Sequence, residues 1–265
     1  MVYSSRVSFP RRTRLGTWVA SQTDEGRVAA DSISSVKKPL RFVPAAALAL
    51  GSLAACSGSE DPQLGYPPAP PQQLPDSGDS DVVADPAWIA DTADRTGIPA
   101  RAVEAYANAA LVLAQSDPEC GIGWNTLAGI GATESKHGSH DGAQLGDDGV
   151  VSPPIIGIAL DGSAGVAAVP DTDYGEYDGD AVWDRAVGPM QFIPESWLYY
   201  GQDGNGDGVA DPQQIDDAAL TAGALLCHRG GDMTSNDGWS AGVGAYNGSL
   251  DYINVVAQRA EEFAD

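Results

Sequence analysis

The chain has 265 residues, enough for one domain with appended segments, and 37 acidic residues against 14 Lys and Arg give a net charge of −23. Only six of those basic residues follow position 56, whereas 34 of the acidic residues do, so the later part has a net charge of −28. Such a surface offers no basic patch for phosphates, which excludes nucleic acid as a partner. It favours solubility and attracts cations.

The first 56 residues have the layout of a secretory signal. Lys37, Lys38 and Arg41 precede an apolar run over residues 42–55, and the letters LAAC end that run at Cys56. The run is short for a permanent membrane span. Its end resembles the lipobox of bacterial lipoproteins, in which a signal peptidase cleaves before the cysteine and the thiol receives a diacylglycerol. We therefore expect lipidation at Cys56; an ordinary secretory signal with a chance cysteine is the alternative.

Residues 57–84 are predicted to be a linker. Six prolines lie among Ser, Gly, Gln and Asp between residues 62 and 75. This composition cannot bury a core and favours extended, polyproline-like conformers. We expect a tether between the lipid anchor and a working domain over residues 85–265.

The working domain is predicted to be mostly helical, with an irregular insertion. Asp85-Pro86 has the pattern of an N-cap and first helical residue. From Asp141 to Asp184, Gly, Pro and Asp interrupt short apolar runs, which indicates loops and short strands. A first helical pattern covers residues 86–96, a second runs from Pro99 and stops before Asp117, and a third ends at Gly138. Helical patterns return near Pro194 and continue over residues 215–227 and 239–263.

One ionisable residue, Glu134, stands at the end of a helix-like apolar run over residues 124–131. It lies seven residues after Leu127 and therefore roughly 20° from it around the helix, on the apolar face. Burial there disfavours the charged carboxylate and raises its pKa, as a general acid near neutral pH requires. The alternative is an acid in the last helical turn that pairs with Lys136.

Two further stretches offer groups that suit a sugar, which has apolar faces and hydroxyl edges. The first is WDRAVGPMQF over residues 183–192, where the Gln191 amide lies between Met190 and Phe192. The second is AYNG over residues 245–248, which provides a tyrosine hydroxyl and an asparagine amide. Either stretch alone is more often core or turn.

Together with Glu134, these stretches resemble the lytic murein transglycosylases, specifically the membrane-bound lytic transglycosylase B-like group of high-GC Gram-positive bacteria. The resemblance covers residues 118–256 in order. It departs from the common pattern at Lys136 and Gly248, both of which could alter the affinity for substrate. The matching stretches are Cys120 to Trp124, 127–131, Glu134-Ser135 with Gly138, 155–157, 160–162, 171–173, 178–180, 183–192 and 245–247.

The resemblance implies a lysozyme-like α+β fold and cleavage of the MurNAc–GlcNAc β-1,4 bond of peptidoglycan, with formation of 1,6-anhydroMurNAc. Glu134 would be the single general acid and base, and catalysis would need no cofactor. The protein would be anchored to the membrane and face the cell wall. The implied substrate-binding residues are Ser135, Met190, Gln191, Phe192, Tyr246 and Asn247. The alternatives are a hydrolase of lysozyme type and a non-catalytic, calcium-stabilised glycan-binding lipoprotein.

The segment DGNGDGVAD over residues 203–211 follows the layout of an EF-hand loop. Oxygen ligands stand at positions 1, 3, 5 and 7, but position 12 is a glutamine where the bidentate glutamate is usual. We predict a structural Ca²⁺ here, the alternative being an acidic, glycine-rich turn. The predicted ligands are Asp203, Asn205, Asp207 and the Val209 carbonyl, with Asp211 or Asp217 completing the set. The histidines, His137, His140 and His228, lack the spacing of zinc ligands.

Cys120 and Cys227 are the cysteines that remain after Cys56. In an exported protein we expect them to form a disulfide, the alternative being two buried thiols. The chain-entropy model gives a loop of this length a stabilisation of about 4–5 kcal/mol.

Overall fold

The computed structural model describes residues 65–78, 82–163 and 165–265, so the predicted signal region and Cys56 lie outside the described residues. In the described part, no helix is long and apolar enough to cross a membrane. The elements in chain order are α1 (Pro86–Thr96), α2 (Ala100–Ser116), α3 (Trp124–Ser135), β1 (Gln144–Leu145), β2 (Val151–Ser152), β3 (Ile156–Ala159), β4 (Arg185–Val187), α4 (Pro194–Tyr200), α5 (Ile215–Gly230), α6 (Asn236–Tyr246) and α7 (Leu250–Ala264).

The core is helical, and α3 lies at its centre. Every residue of α3 from Trp124 to Ala132 is buried, and the helix packs against α2, α5 and α7. Its small residues allow close approach: a side chain at Gly129 would meet the Val256 carbonyl oxygen of α7 at 3.0 Å. The prediction of a mostly helical α+β domain is therefore confirmed, although α3 is buried on all sides and not along one face alone.

The helix α3 ends at Ser135, three residues before the predicted stop at Gly138. Lys136, His137 and Gly138 follow with φ angles of 54°, 60° and 83°, all in the left-handed region. The His137 N–H donates to the Gly131 carbonyl at 3.0 Å, which closes the last helical turn. This turn fixes the chain direction immediately after Glu134.

The irregular insertion between α3 and α4 contains two short antiparallel pairs. β1 pairs with β2 (Leu145 opposite Val151), and β3 pairs with β4 (Ile156 opposite Val187). Acidic side chains organise the remaining turns, as at the fully buried Asp184, which accepts from the Thr172 N–H and hydroxyl at 2.8 and 2.7 Å. The prediction of loops and short strands is confirmed.

The predicted helical segment over residues 239–263 is broken into α6 and α7. Asn247, with φ −149° and ψ 118°, leaves the helical conformation after Tyr246, and α7 begins after Ser249. The Ser249 N–H donates to the Asn247 side-chain oxygen at 3.0 Å, which stabilises the break. Because of this break, α7 packs along α3.

Residues 69–76, which we call the strap, belong to the predicted linker yet lie against the domain. The Gln72 side chain accepts from the Gly123 N–H at 2.8 Å, and the Gln73 carbonyl accepts from the Trp124 N–H at 3.0 Å. These are donors at the start of α3, which has no side-chain cap of its own. The prediction of a free linker is therefore wrong for the strap. Its two glutamines accept hydrogen bonds from backbone N–H groups at the start of α3, and composition alone does not reveal such contacts.

The predicted disulfide between Cys120 and Cys227 is present, with Cα atoms 5.3 Å apart. It joins the segment before α3 to α5.

Candidate active site

Glu134 occupies the last turn of α3, and its carboxyl group is largely buried. Its Oε1 accepts a hydrogen bond of 2.6 Å from the Tyr252 hydroxyl of α7. Burial raises the pKa of Glu134 to about 7, and the hydrogen bond from Tyr252 opposes part of that rise. The alternative of an ion pair with Lys136 is not observed, since Lys136 is exposed and Glu134 bonds to the tyrosine. The carboxyl group is thus poised to give or take a proton near neutral pH.

Two tyrosines surround the acid. The Tyr246 hydroxyl donates to the Met190 carbonyl at 2.6 Å. Burial, with a further contribution from the Glu134 charge, raises the pKa of both Tyr246 and Tyr252 well above the usual value. Both hydroxyls therefore stay protonated and act as neutral donors beside a titrating carboxyl group.

Three of the predicted substrate-binding side chains lie in the core instead. Ser135 is 1% exposed; its hydroxyl donates to the Pro189 carbonyl and accepts from the Gly138 N–H. Met190 is fully buried, and Phe192 stacks edge-on with Trp197 and Tyr246. Ser135 and Met190 differ from the prediction, because the Met190 side chain fills the helical core and the Ser135 hydroxyl joins α3 to the turn before α4. Phe192 packs in the core and also lines the pocket described below.

Gln191 and Tyr246 are half-buried and Asn247 is exposed, and their role in binding substrate stays a prediction. Gln191 has a left-handed φ of 49°, and its side-chain amide donates to the Gly188 carbonyl at 3.0 Å. Gly188 permits this turn through its left-handed φ of 78°, and a side chain there would also lie 1.7 Å from the Pro212 carbonyl oxygen. Asn247 is exposed at the break between α6 and α7. A shallow open pocket is lined by Gln191, Phe192, Ile193, Ser196, Leu225, Ala245 and Tyr246.

The contact that the sequence did not reveal is Tyr252. It lies six residues after Tyr246, which would put the two rings on different faces of one continuous helix. The break at Asn247 brings both rings toward Glu134. A turn-forming Asn-Gly-Ser inside the helical pattern was the available signal.

The predicted calcium loop is built around the Asp203 carboxylate, which accepts from the N–H groups of Gly206, Asp207 and Gly208 at 2.7, 3.1 and 2.8 Å. The loop backbone therefore wraps one carboxylate, as an EF-hand loop does. Asp217, predicted as an alternative to Asp211 in the ligand set, accepts N–H groups of the loop through both its oxygens at 2.7 to 3.1 Å. It is fully buried and holds the loop onto α5.

A second group of acids lies in the insertion. Side-chain oxygens of Asp171, Asp173 and Asp184 all lie within 4.8 Å of one another. All three residues lie in stretches that carry the family resemblance. Their carboxylates accept N–H groups of neighbouring turns, as at Asp173 with Tyr177 at 2.7 Å.

Residues 171–260 match the family described as the Transglycosylase SLT domain. The matched segment makes up 90 of the 265 residues. The match confirms the resemblance noted in the sequence. The SLT segment contains Gln191, the predicted calcium loop, Tyr246 and Tyr252, whereas Glu134 precedes it.

Two solved structures are similar to the chain. One is the Escherichia coli lytic transglycosylase SLT35 in complex with bulgecin A, 14% identical, covering 66% of this chain and 77% of that one, with a TM-score of 0.41. The other is SltB3 from Pseudomonas aeruginosa in complex with NAG-anhNAM-pentapeptide, 15% identical, covering 73% and 72%, with a TM-score of 0.38. No curated protein sequence matches the chain.

Proposed function

We propose that the protein is a peptidoglycan lytic transglycosylase with a lysozyme-like fold that cleaves the MurNAc–GlcNAc β-1,4 bond. The observation that supports this most is Glu134, whose pKa of about 7 follows from burial at the end of α3 beside the SLT segment. A carboxylic acid that stays protonated near neutral pH can protonate a glycosidic oxygen as the bond to C1 breaks.

The single carboxyl group favours a lyase. A hydrolase of this class uses a second carboxylate as base or nucleophile. In the described structure, the groups that bond to or titrate with Glu134 are tyrosines, Tyr252 and Tyr246. After Glu134 gives up its proton, the same carboxylate can accept one from the sugar's own 6-hydroxyl as that oxygen attacks C1. No water enters the products, and a 1,6-anhydroMurNAc end forms.

Positioning makes the intramolecular route effective. The 6-hydroxyl already belongs to the sugar that is attacked, and well-oriented intramolecular groups reach effective concentrations of roughly 10⁵ M or more. The Gln191, Tyr246 and Asn247 side chains are neutral; Gln191 and Tyr246 line the shallow pocket, and the exposed Asn247 follows Tyr246 in the chain. They can orient the ring and its N-acetyl group without adding a charge.

Mass spectrometry of peptidoglycan digested in ¹⁸O-water tests the reaction. We expect anhydro ends without ¹⁸O, and no such ends with the Glu134→Gln variant. Products with ¹⁸O at a reducing MurNAc would identify a hydrolase and contradict the proposal. Glycan binding without any cleavage would identify the non-catalytic alternative.

We also propose a structural Ca²⁺ in the loop over residues 203–211, held by Asp203, Asn205, Asp207 and the Val209 carbonyl, with Asp211 or Asp217 completing the set. The wrapping of backbone N–H groups around Asp203 supports this assignment. The ion would stabilise the loop between α4 and α5 by mass action.

Excess Ca²⁺ should raise the melting temperature of the protein relative to a sample with chelator. Asp207→Ala should remove the response, and Asp94→Ala, at an exposed acid on α1, should retain it. An equal response in both variants would contradict the site.

Finally, we propose export and lipid anchoring at Cys56, which would hold the domain at the membrane face of the cell wall. The signal layout and lipobox in the sequence support this. Metabolic labelling with a fatty acid should mark the wild type and not Cys56→Ser. Label retained by the variant would place the lipid elsewhere.

A further inference from the structure

His137 is a buried polar side chain that the proposed reaction does not use. It is 8% exposed, and its Nδ1 lies 3.1 Å from the hydroxyl oxygen of Tyr106, which is fully buried on α2. The rings of Tyr106 and Phe263 flank the imidazole, with centroids 5.7 and 6.1 Å away. A buried hydrogen bond of this kind is costly to lose, because its partner is left unsatisfied.

The backbone at His137 is strained. Lys136 and His137 have side chains and yet adopt left-handed φ angles of 54° and 60°, directly after the helix that bears Glu134. Such a conformation costs roughly 1–2 kcal/mol per residue and persists only where the surroundings hold it. The surroundings include the hydrogen bond from His137 N–H to Gly131 and the buried bond from its ring to Tyr106.

The sequence makes room for this bond within α3 itself. A Cβ atom at Gly131 would lie 2.0 Å from the Tyr106 hydroxyl oxygen. Only a glycine therefore lets Tyr106 reach past α3 to the imidazole. The residue stands three positions before Glu134, so the same helical turn receives the tyrosine and presents the acid.

We propose that Tyr106 and His137 are positioning residues that hold the left-handed turn after α3 and thereby fix the Glu134 carboxyl group in its buried orientation. Gly131 is the residue that admits the Tyr106 hydroxyl. Neither side chain touches substrate; both act through the backbone that carries the acid. The consequence for catalysis depends on the function proposed above, whereas the consequence for Glu134 titration does not.

The charge state of the pair is consistent with this role. Burial, together with the positive charge of Arg259, lowers the pKa of His137 to about 4, and burial raises the pKa of Tyr106. The groups that face the imidazole are thus the Tyr106 hydroxyl from α2, and the Arg259 charge and Phe263 ring from α7. Both members of the pair stay neutral over the range in which Glu134 changes charge.

The first test compares Tyr106→Phe with Thr126→Val. The Thr126 hydroxyl accepts a buried hydrogen bond of 3.2 Å from Trp239 and donates one of 2.9 Å to Gln72 at the other end of α3, so its variant loses two hydrogen bonds far along the helix from the acid. We expect Tyr106→Phe to lower kcat about tenfold, with KM changed less than twofold, because a small misplacement of a catalytic group is costly. Thr126→Val should lower the melting temperature and leave kcat near the wild-type value.

The second readout is the pKa of the Glu134 carboxyl group, followed by ¹³C NMR. Looser packing admits water, so Tyr106→Phe should lower this pKa by about one pH unit, whereas Thr126→Val should leave it unchanged. A wild-type kcat and Glu134 titration in folded Tyr106→Phe would overturn the proposal. If the wild type proves to lack lytic activity, the proposed function fails, and the NMR titration still decides the positioning role.

A second pair of variants keeps the test decisive if Tyr106→Phe does not fold. Asn tolerates the left-handed region and can hydrogen-bond near the Nδ1 position, whereas Leu keeps apolar bulk without either property. We expect His137→Asn to retain most activity and the raised Glu134 pKa, and folded His137→Leu to lose both. Equal behaviour of the two variants would overturn the proposal.

Discussion

Glu134 and Asp217 are both buried carboxyl groups on core helices, and their surroundings give them opposite uses. Asp217 accepts three backbone N–H groups, which oppose the rise in its pKa that burial causes. Glu134 accepts one hydrogen bond, from Tyr252, and burial is the largest influence on both groups, so both pKa values are raised. Burial alone therefore does not define a catalytic acid; the number of fixed donors decides whether a carboxyl group holds a loop or exchanges a proton.

The largest expected effect comes from removal of the acid. Glu134→Gln should reduce turnover about 10³-fold or more, because a general acid contributes on the order of 10²–10⁴ and here serves both steps. Glycan binding should persist, since the amide preserves shape and can accept from Tyr252. Rates of anhydro-product release and binding to purified glycan strands measure this. Near-wild-type release by a folded variant would remove Glu134 from the mechanism.

The same variant should be more stable than the wild type at alkaline pH. The native pKa of Glu134 is about 7, above the ordinary 4.5, so the unfolded state loses its proton first as pH rises from 4.5 to 7. The free energy of unfolding of the wild type therefore falls across that window, by about 3 kcal/mol above pH 7. The variant shows no such fall, because Gln does not titrate. Urea unfolding at pH 4 and pH 8 should show the gain at pH 8 alone. If the free energies of unfolding of variant and wild type differed by the same amount at both pH values, this would contradict the raised pKa of Glu134.

His137 provides a third buried group, with the opposite pH dependence. Its native pKa of about 4 lies below the ordinary 6.5, so the unfolded state binds a proton first as pH falls. Its contribution is complete above pH 6.5 and is lost toward pH 4, by about 3 kcal/mol. His137→Asn should flatten this acid limb in urea unfolding. An acid limb equally steep in the variant would assign the titration to another group.

Asp217→Asn tests the other side of the comparison. The amide replaces one accepting oxygen with a donor that faces the loop N–H groups, so the free energy of unfolding should fall by about 2 kcal/mol. Asp216→Asn is not a suitable control, because Asp216 pairs with Arg101. Asp94→Asn, at an exposed position on α1, should change stability by less than about 0.5 kcal/mol. Equal stability of the two variants would mean that Asp217 does not hold the loop.

The smallest effect is expected for Tyr252→Phe. The tyrosine donates to Glu134 and lowers its pKa, so its loss should move the alkaline limb of kcat/KM to higher pH, by less than about one pH unit. The melting temperature should change little. A shift to lower pH would show that Tyr252 stabilises the protonated acid instead.

Particular residues show how far the sequence reaches. Glu134 could be singled out because seven residues separate it from Leu127 in an apolar helical run, and Asp203 because glycines and oxygens alternate at loop spacing. The disulfide followed from two cysteines in a chain that we expect to be exported. By contrast, Ser135, Met190 and Phe192 were expected at the substrate, and the structure buries their side chains. Spacing gives the identity of a motif, but not which of its side chains face the core.

The sequence by itself determined the helical class of the domain, the irregular insertion, the candidate acid and the family resemblance, because these depend on local periodicity, turn residues and spaced motifs. Tertiary structure alone decided that Tyr252 donates to Glu134, that Tyr106 reaches His137 past Gly131, and that the strap satisfies the start of α3. The physical reason is that each of these contacts joins segments 31 to 118 residues apart. Their energies depend on burial and on which donors meet which acceptors, and both are set only when the helices pack.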